Sequence, residues 1–244
     1  MMLRKTNKGF YTLTNISNFK NVVHGFSTTE FGDLKTPSEN QPRFFDALGL
    51  KKPKVIRPEQ IHKDKVSFVG NKSNNPVIAG SDGIVTYEKN LFLVVLVADC
   101  LPILAFDPKR EIIGIAHVGW RGTIKNIAVN LIKTFTDQGS KPKDILIGLG
   151  PTIEFCHYEV KKNVGDKFER SGLKKAVLKS LSGKICLDLK LANLDQIKKA
   201  GIPIENVDVS LKECTYENTD FYSFRRDKTE KRTAALIGLK SNEG

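Results

Sequence analysis

The chain alternates short apolar runs with polar turns, and the spacing of those runs separates strands from helices. Leu91 to Ala98 is an unbroken apolar run closed by Asp99, and Ile103 to Phe106 and Ile112 to His117 follow on either side of Asp107-Pro108-Lys109-Arg110. Apolar runs of this length, bounded by turn residues, predict buried strands. Ala79-Gly80-Ser81-Asp82-Gly83 predicts a tight turn ahead of a strand at Ile84 to Thr86, and Gly70 to Pro76 predicts a loop. The period then changes. Ile124, Ile127, Ala128, Leu131, Ile132 and Phe135 recur at i, i+3, i+4, i+7, i+8 and i+11, one face of a helix that Thr123 is placed to cap. Asp144 to Pro151 reads as a strand ending in a Gly-Pro loop. Val160, Val164 and Phe168 predict a second helix stopped by Gly172, and Leu187 to Ala200 a third stopped by Gly201. Val207 to Ser210 and Ala234 to Leu239 are late strand candidates. Strands and helices interleave with no linker, repeat or low-complexity stretch. The expected fold is therefore α/β, a single domain over residues 1–244 with a mixed β-sheet sandwiched between helices.

Composition excludes more than it selects. At 244 residues, 40% hydrophobic and 27% charged, the chain is an ordinary globular protein able to bury a sizeable core. No apolar run approaches the roughly 20 residues needed to span a bilayer, and no apolar segment follows Met1-Met2-Leu3-Arg4-Lys5, so neither membrane nor export is expected. Cys100, Cys156, Cys186 and Cys214 are too widely spaced for a disulfide framework, and the expected address is cytoplasmic. The net charge of +12 permits nucleic-acid binding. Its lysines are scattered, however, as at Lys51-Lys52, Lys161-Lys162 and Lys198-Lys199, with no basic run interleaved with aromatics. That pattern describes a solvated surface whose field favours an anionic or phosphate-bearing substrate, and nucleic acid is not an expected partner. Nothing in the pattern sets the oligomeric state.

Candidate chemistry gathers at the ends of the expected strands. His62, Cys100 and His117 are two imidazoles and a thiol, a borderline-soft set of three that suits zinc with one position open for water or substrate. Three unrelated core residues would look the same, because no short ligand spacing links them. Gly119-Trp120-Arg121-Gly122 joins a strand to a helix, either as an anion-facing loop with Arg121 as fork donor or as a plain turn. Trp120 reads as packing rather than substrate stacking. Phe221 to Asp227 alternates aromatic, polar and basic residues. It reads as an edge strand with an arginine paired to Asp227, or as a pocket wall in which Arg225 or Arg226 binds phosphate or carboxylate. Cys156 and His157 are adjacent, and neighbours usually point apart, so they read as structural.

Taken in order, Gln60-Ile61-His62, Ala98-Asp99-Cys100, Ala116 to Gly122, Gly150-Pro151 through Cys156-His157-Tyr158-Glu159-Val160, Leu187-Asp188-Leu189, and Cys214-Thr215 through Phe221 to Asp227 resemble the laccase-domain family. The resemblance runs from about His24-Gly25-Phe26-Ser27-Thr28 to the C-terminus. Members of that family were once described as multicopper polyphenol oxidases. They are now understood as zinc-dependent purine nucleoside phosphorylases with adenosine deaminase and methylthioadenosine phosphorylase activity, and some bacterial members are called peptidoglycan editing factors. The resemblance implies that His62, Cys100 and His117 are zinc ligands, and that purine nucleosides and inorganic phosphate are the substrates. Arg121, Arg225 or Arg226 would hold the phosphate, and Gln60 would reach the metal-bound group or the base. Asp99 is the first candidate for proton transfer and Glu59 the second. The chain departs from the family pattern at Thr29, where an arginine is usual, at Lys63, at Ile153-Glu154-Phe155-Cys156, and at Thr229-Glu230-Lys231-Arg232. Other chemistries compete. A Cys-His hydrolase would use Cys100 as nucleophile and His117 as base, and a basic binding module would have no turnover. A multicopper oxidase fits poorly with four histidines and with methionines only at Met1 and Met2.

Overall fold

The apolar runs do become strands, and they divide between two sheets. A computed structural model of the chain describes residues 5–35, 40–70, 75–209 and 212–241. Asn71 to Asn74 of the expected loop, Ser210 of the last-but-one strand candidate and residues 1–4 lie outside that range. In chain order the strands are β1 (Val22–Phe26), β2 (Lys54–Pro58), β3 (Val66–Phe68), β4 (Val77–Ile78), β5 (Gly83–Thr86), β6 (Leu91–Val97) and β7 (Leu101–Asp107). They continue as β8 (Ile112–Val118), β9 (Leu146–Leu149), β10 (Val177–Lys179), β11 (Ile185–Leu187), β12 (Val207–Asp208) and β13 (Thr233–Leu239). The helices are α1 (Thr14–Ser17), α2 (Asn40–Ala47), α3 (Trp120–Ile124), α4 (Ile127–Asp137), α5 (Lys162–Arg170), α6 (Leu189–Lys199) and α7 (Phe224–Asp227).

One sheet has the order β1-β13-β6-β2-β4, the other β12-β9-β7-β8-β5-β3, and β10 pairs with β11 alone. Both large sheets are mixed: β2 is parallel to β6 while β13 is antiparallel to it, and β3 is parallel to β5 while β8 is antiparallel to it. The α/β class with mixed sheets is as expected. The difference is that two sheets stack face to face. Leu93, Val95 and Ile237 of the first meet Leu104, Phe106, Ile113 and Ile115 of the second. Helices cover the outer faces. Ile103, Ala105 and Ala116 pack against Leu131 and Phe135 of α4 and Ile197 of α6. Phe92, Val94 and Leu236 pack against Phe44 of α2. The continuous apolar run in β6 has this cause: alternate residues serve two different cores, so both faces must be apolar.

Four local readings are corrected. Thr123 does not cap the long helix. It lies inside α3 with its hydroxyl donating to Gly119 O, and Asn126 in a left-handed conformation (φ 64°) separates α3 from α4. Asn193 and Gln196 of α6 enforce the break: Asn193 Nδ2 donates to Thr123 Oγ1, and Gln196 Nε2 donates to Thr123 O and Asn126 Oδ1. Leu187 belongs to β11, and α6 starts behind Asp188, whose carboxylate accepts from Leu191 N–H. Val160 precedes α5. The segment Phe221 to Asp227 is no edge strand, because the Ser223 hydroxyl accepts from Arg226 N–H and caps α7. No helix among the described residues is long and apolar enough to cross a membrane.

Candidate metal centre

His62, Cys100 and His117 come from three separate places and meet. Their ligand atoms all lie within 4.8 Å of one another, so the group could hold a metal ion. His62 sits in the loop after β2 with φ of 57°, two residues beyond Gln60 with φ of 65°. Left-handed backbone at non-glycine residues costs on the order of 1–3 kcal/mol and persists only where surroundings impose it. Here two partners impose it. Gln60 pairs with β6 as a strand would, Nε2 donating to Leu96 O at 2.7 Å and Oε1 accepting from Leu96 N–H at 2.9 Å. Asp82 gathers the next three residues: its carboxylate accepts from the N–H groups of Ile61 (3.2 Å), His62 (2.9 Å) and Lys63 (2.8 Å). Cys100 follows Asp99 (φ 87°) in the turn from β6 to β7. His117 lies near the end of β8.

Asp82 also fixes His117. Its Oδ1 is 3.0 Å from His117 Nδ1, and its backbone oxygen accepts from His117 N–H at 2.8 Å. With Nδ1 held by a carboxylate, Nε2 is the nitrogen left for a metal. Burial works against charge on His117, but the neighbouring Cys100 sulfur and Asp82 outweigh it and push the pKa up to about 9. Burial and the charge of His117 pull His62 the other way. Burial disfavours the Asp82 carboxylate, yet the His117 and Lys63 hydrogen bonds hold its pKa below the usual range. Gly119 completes the surroundings, since a Cβ there would stand 3.2 Å from both Cys100 Sγ and His62 Nδ1. Sequence reading took Asp82 for a turn residue. Only its complete burial and its four hydrogen-bond donors reveal its task.

The group lines a cavity of about 700 Å³, within the roughly 300–1,000 Å³ of small-molecule sites. Five cations share the lining: Lys35, Arg57, Arg121, Arg225 and Arg232. Arg57, Arg121 and Arg225 have no carboxylate partner among the described residues. Trp120, Tyr158 and Phe224 add aromatic surface. Arg121 lies 4.3 Å over the Trp120 ring, which also packs on the core. Arg225 Nη1 donates to Glu159 O at 2.7 Å and its guanidinium carbon is 5.3 Å from the Tyr158 ring. Asp99 is the lone carboxylate in the lining among the described residues, and its oxygens already accept from Thr215 Oγ1 and Arg225 N–H. Gln60 lines the cavity with its amide committed to Leu96.

Two expected residues fall elsewhere. Arg226 does not line the cavity: its guanidinium donates to Thr215 O, Tyr216 O and Phe221 O and pairs with Asp227 at 2.7 Å, holding the turn before α7 together. Glu59 accepts from Gly80 N–H. Thr29, at the position of the usual arginine, donates its hydroxyl to Thr219 O and does not line the cavity either. Sequence reading missed Lys35, Arg57, Arg232 and Tyr158. Of these, Arg232 carried a signal as the arginine of an altered motif, and Tyr158 as a member of the Cys156-to-Val160 motif; Lys35 and Arg57 carried none. Cys156 and His157 do not point apart, since Cys156 Sγ is 3.1 Å from His157 Nδ1.

Known proteins resemble this chain in sequence and fold over most of its length. The family model described as multi-copper polyphenol oxidoreductase laccase matches residues 24–240. The chain is 34% identical to a Deinococcus radiodurans protein named purine nucleoside phosphorylase, over 87% of this chain and 81% of that one. It is 30% identical to purine nucleoside phosphorylase YlmD of Bacillus subtilis, over 91% and 90%. The crystal structure of YlmD from Geobacillus stearothermophilus superposes with a TM-score of 0.87 at 27% identity, covering 98% of this chain and 99% of that one. Matched in sequence over nearly all of its described length and in fold over still more, the chain belongs to the multi-copper polyphenol oxidoreductase laccase family.

Proposed function

We propose that this chain is a zinc-dependent purine nucleoside phosphorylase whose active centre is the His62–Cys100–His117 cavity. The observation that carries the proposal is the meeting of a metal-competent group, a cationic lining and aromatic walls in one space. The names of its relatives supply the substrate class.

The residues fit zinc. Two imidazoles and one thiolate are three protein ligands of the kind found in catalytic zinc sites, and a carboxylate behind one imidazole is the usual support. Copper fits less well, because a multicopper site needs more imidazoles than this chain has free: of its four histidines, His24 is buried with Nε2 accepting from Leu13 N–H. Bound there, zinc supplies a Lewis acid for a substrate oxygen or water. The chain's own residues do the rest. Arg121, Arg225, Arg57 and Arg232 hold inorganic phosphate, neutralise it and aim an oxygen at the anomeric carbon. The phosphate oxygen–carbon bond forms, the bond from that carbon to the purine nitrogen breaks, and its electron pair leaves with the base, which takes up a proton. Tyr158, Trp120 and Phe224 offer apolar faces to a purine.

Deamination of adenosine at the same centre is the second activity in this reading. Its support is Asp99, a carboxylate in the lining next to Cys100. Adenosine, inosine, guanosine or methylthioadenosine, with inorganic phosphate, are the substrates, and the reading carries a cytoplasmic address. Incubating zinc-loaded protein with adenosine, with and without phosphate, tests both activities. Adenine with ribose 1-phosphate, formed only when phosphate is present, is the expected product, and inosine reports deamination. The absence of both products overturns the proposal and returns the Cys100–His117 pair to a hydrolase reading.

A further inference from the structure

We infer that the chain carries a second, structural site for a thiolate-seeking divalent metal of the zinc class, formed by Cys156, His157 and Cys214 and closed by Glu217. The three ligand atoms of Cys156, His157 and Cys214 lie within 4.8 Å of one another. His157 Nδ1 is 3.1 Å from Cys156 Sγ, 3.7 Å from Cys214 Sγ and 3.6 Å from Glu217 Oε1. With ligand bonds of about 2.0–2.3 Å, the edges of a tetrahedral zinc site measure roughly 3.3–3.8 Å. Three side chains thus approach one imidazole nitrogen at separations close to those of ligands sharing an ion.

The surroundings support ligation. Tyr216 stacks on the His157 ring, 4.3 Å away and 13° from parallel, which fixes the plane of the imidazole. Glu154 N–H points at Cys214 Sγ at 3.4 Å, the kind of backbone donation that steadies a ligating thiolate. Cys214 is buried, Cys156 is exposed and His157 lies between, so the site opens to solvent on one side for metal entry. With Glu217 in place no position remains for a substrate, and a closed four-ligand set is the structural type.

The location gives the site a task. Cys156 and His157 lie in the loop after β9, and Cys214 and Glu217 in the segment ahead of α7. Both stretches lean on Asp99, the neighbour of Cys100. Thr152 Oγ1 and Ile153 N–H donate to Asp99 O, and Thr215 Oγ1 donates to Asp99 Oδ1. Arg225 Nη1 also donates to Glu159 O on the first loop. An ion joining the two stretches would therefore pin the wall that holds Asp99 and Arg225 in the cavity.

The test uses the full-length chain carrying Cys100→Ser, so that its outcome is independent of the first centre. The protein is stripped under reducing conditions and titrated with zinc against a chromophoric chelator, then with cobalt. The expected result is about one zinc per chain and a thiolate-to-cobalt charge-transfer band. Adding Cys156→Ser at the exposed ligand, or His157→Ala, should weaken zinc binding at least tenfold and remove the band, while circular dichroism stays unchanged. The inference is overturned by no zinc binding in the Cys100→Ser protein, or by binding that neither added substitution affects. It is also overturned if the freshly purified protein, by non-reducing mass spectrometry, already holds Cys156 and Cys214 in a disulfide.

Discussion

The Asp82 carboxylate accepts hydrogen bonds from three successive backbone N–H groups and from His117, so one side chain sets both imidazoles of the group. Asp82→Asn keeps the shape but loses the charge that holds Nδ1–H of His117. Zinc affinity at the first centre should fall about 10–100-fold, the usual effect of removing such a support, while far-ultraviolet circular dichroism is preserved. Chelator competition measures it, and unchanged affinity would separate Asp82 from metal binding. Arg121 has no carboxylate partner among the described residues and lines the cavity. Loss of a charged hydrogen bond of about 1.5–3 kcal/mol predicts that Arg121→Ala raises the KM for phosphate by roughly 10–100-fold, with a smaller change in KM for the nucleoside. At this scale the meeting of His62, Cys100 and His117 was legible, because two histidines and a cysteine at strand ends form a donor set that suits a metal. Asp82 was not, since a turn aspartate looks the same whether it faces solvent or is buried. Arg226 was misread for the mirror reason: nothing in two adjacent arginines shows that one of them is committed to backbone carbonyls.

Element by element, length decided what could be read. Runs such as β6, β7 and β8 were visible because each fills one or two cores along its whole length. β3, β4 and β10, of two or three residues, leave too short a period to detect. The break between α3 and α4 depends on Asn193 and Gln196, about 70 residues further along the chain, and no local pattern encodes it. Close packing of α4 on β8 gives a test. A Cβ at Gly114 would stand 2.6 Å from Phe135 and 3.0 Å from Leu131. Overpacking of this kind costs about 1–3 kcal/mol. Gly114→Ala should lower the urea midpoint accordingly without altering zinc stoichiometry, and an unshifted midpoint would mean that α4 sits further from the sheet.

For the molecule as a whole, two stacked sheets bring strand ends from both into one cavity, and that is why Arg57 of β2 and Arg232, ahead of β13, join Arg121 beyond β8. Such convergence could not be foreseen from a chain expected to form one sheet. The same stack buries His24 on β1, where desolvation pulls its pKa down to about 4 while Nε2 accepts from Leu13 N–H. The unfolded chain takes up that proton near pH 6.5 and the folded one resists it until about pH 4. Stability from neutral His24 is therefore complete above pH 6.5 and is lost as pH falls through this window. The loss reaches about 2–3 kcal/mol near pH 4.5. Unfolding curves at pH 7 and 4.5 should show this loss in the wild type and a smaller one in His24→Gln, and equal losses would place the acid sensitivity elsewhere.

The claim that phosphorolysis runs at the His62–Cys100–His117 group is tested most directly by titrating zinc into stripped Cys156→Ser protein and recording phosphate-dependent release of adenine from adenosine. The rate should rise from near zero in proportion to zinc, level off at about one equivalent, and stay near zero when Cys100→Ser is added. Full activity in the stripped protein, or a rate indifferent to Cys100, would contradict the account.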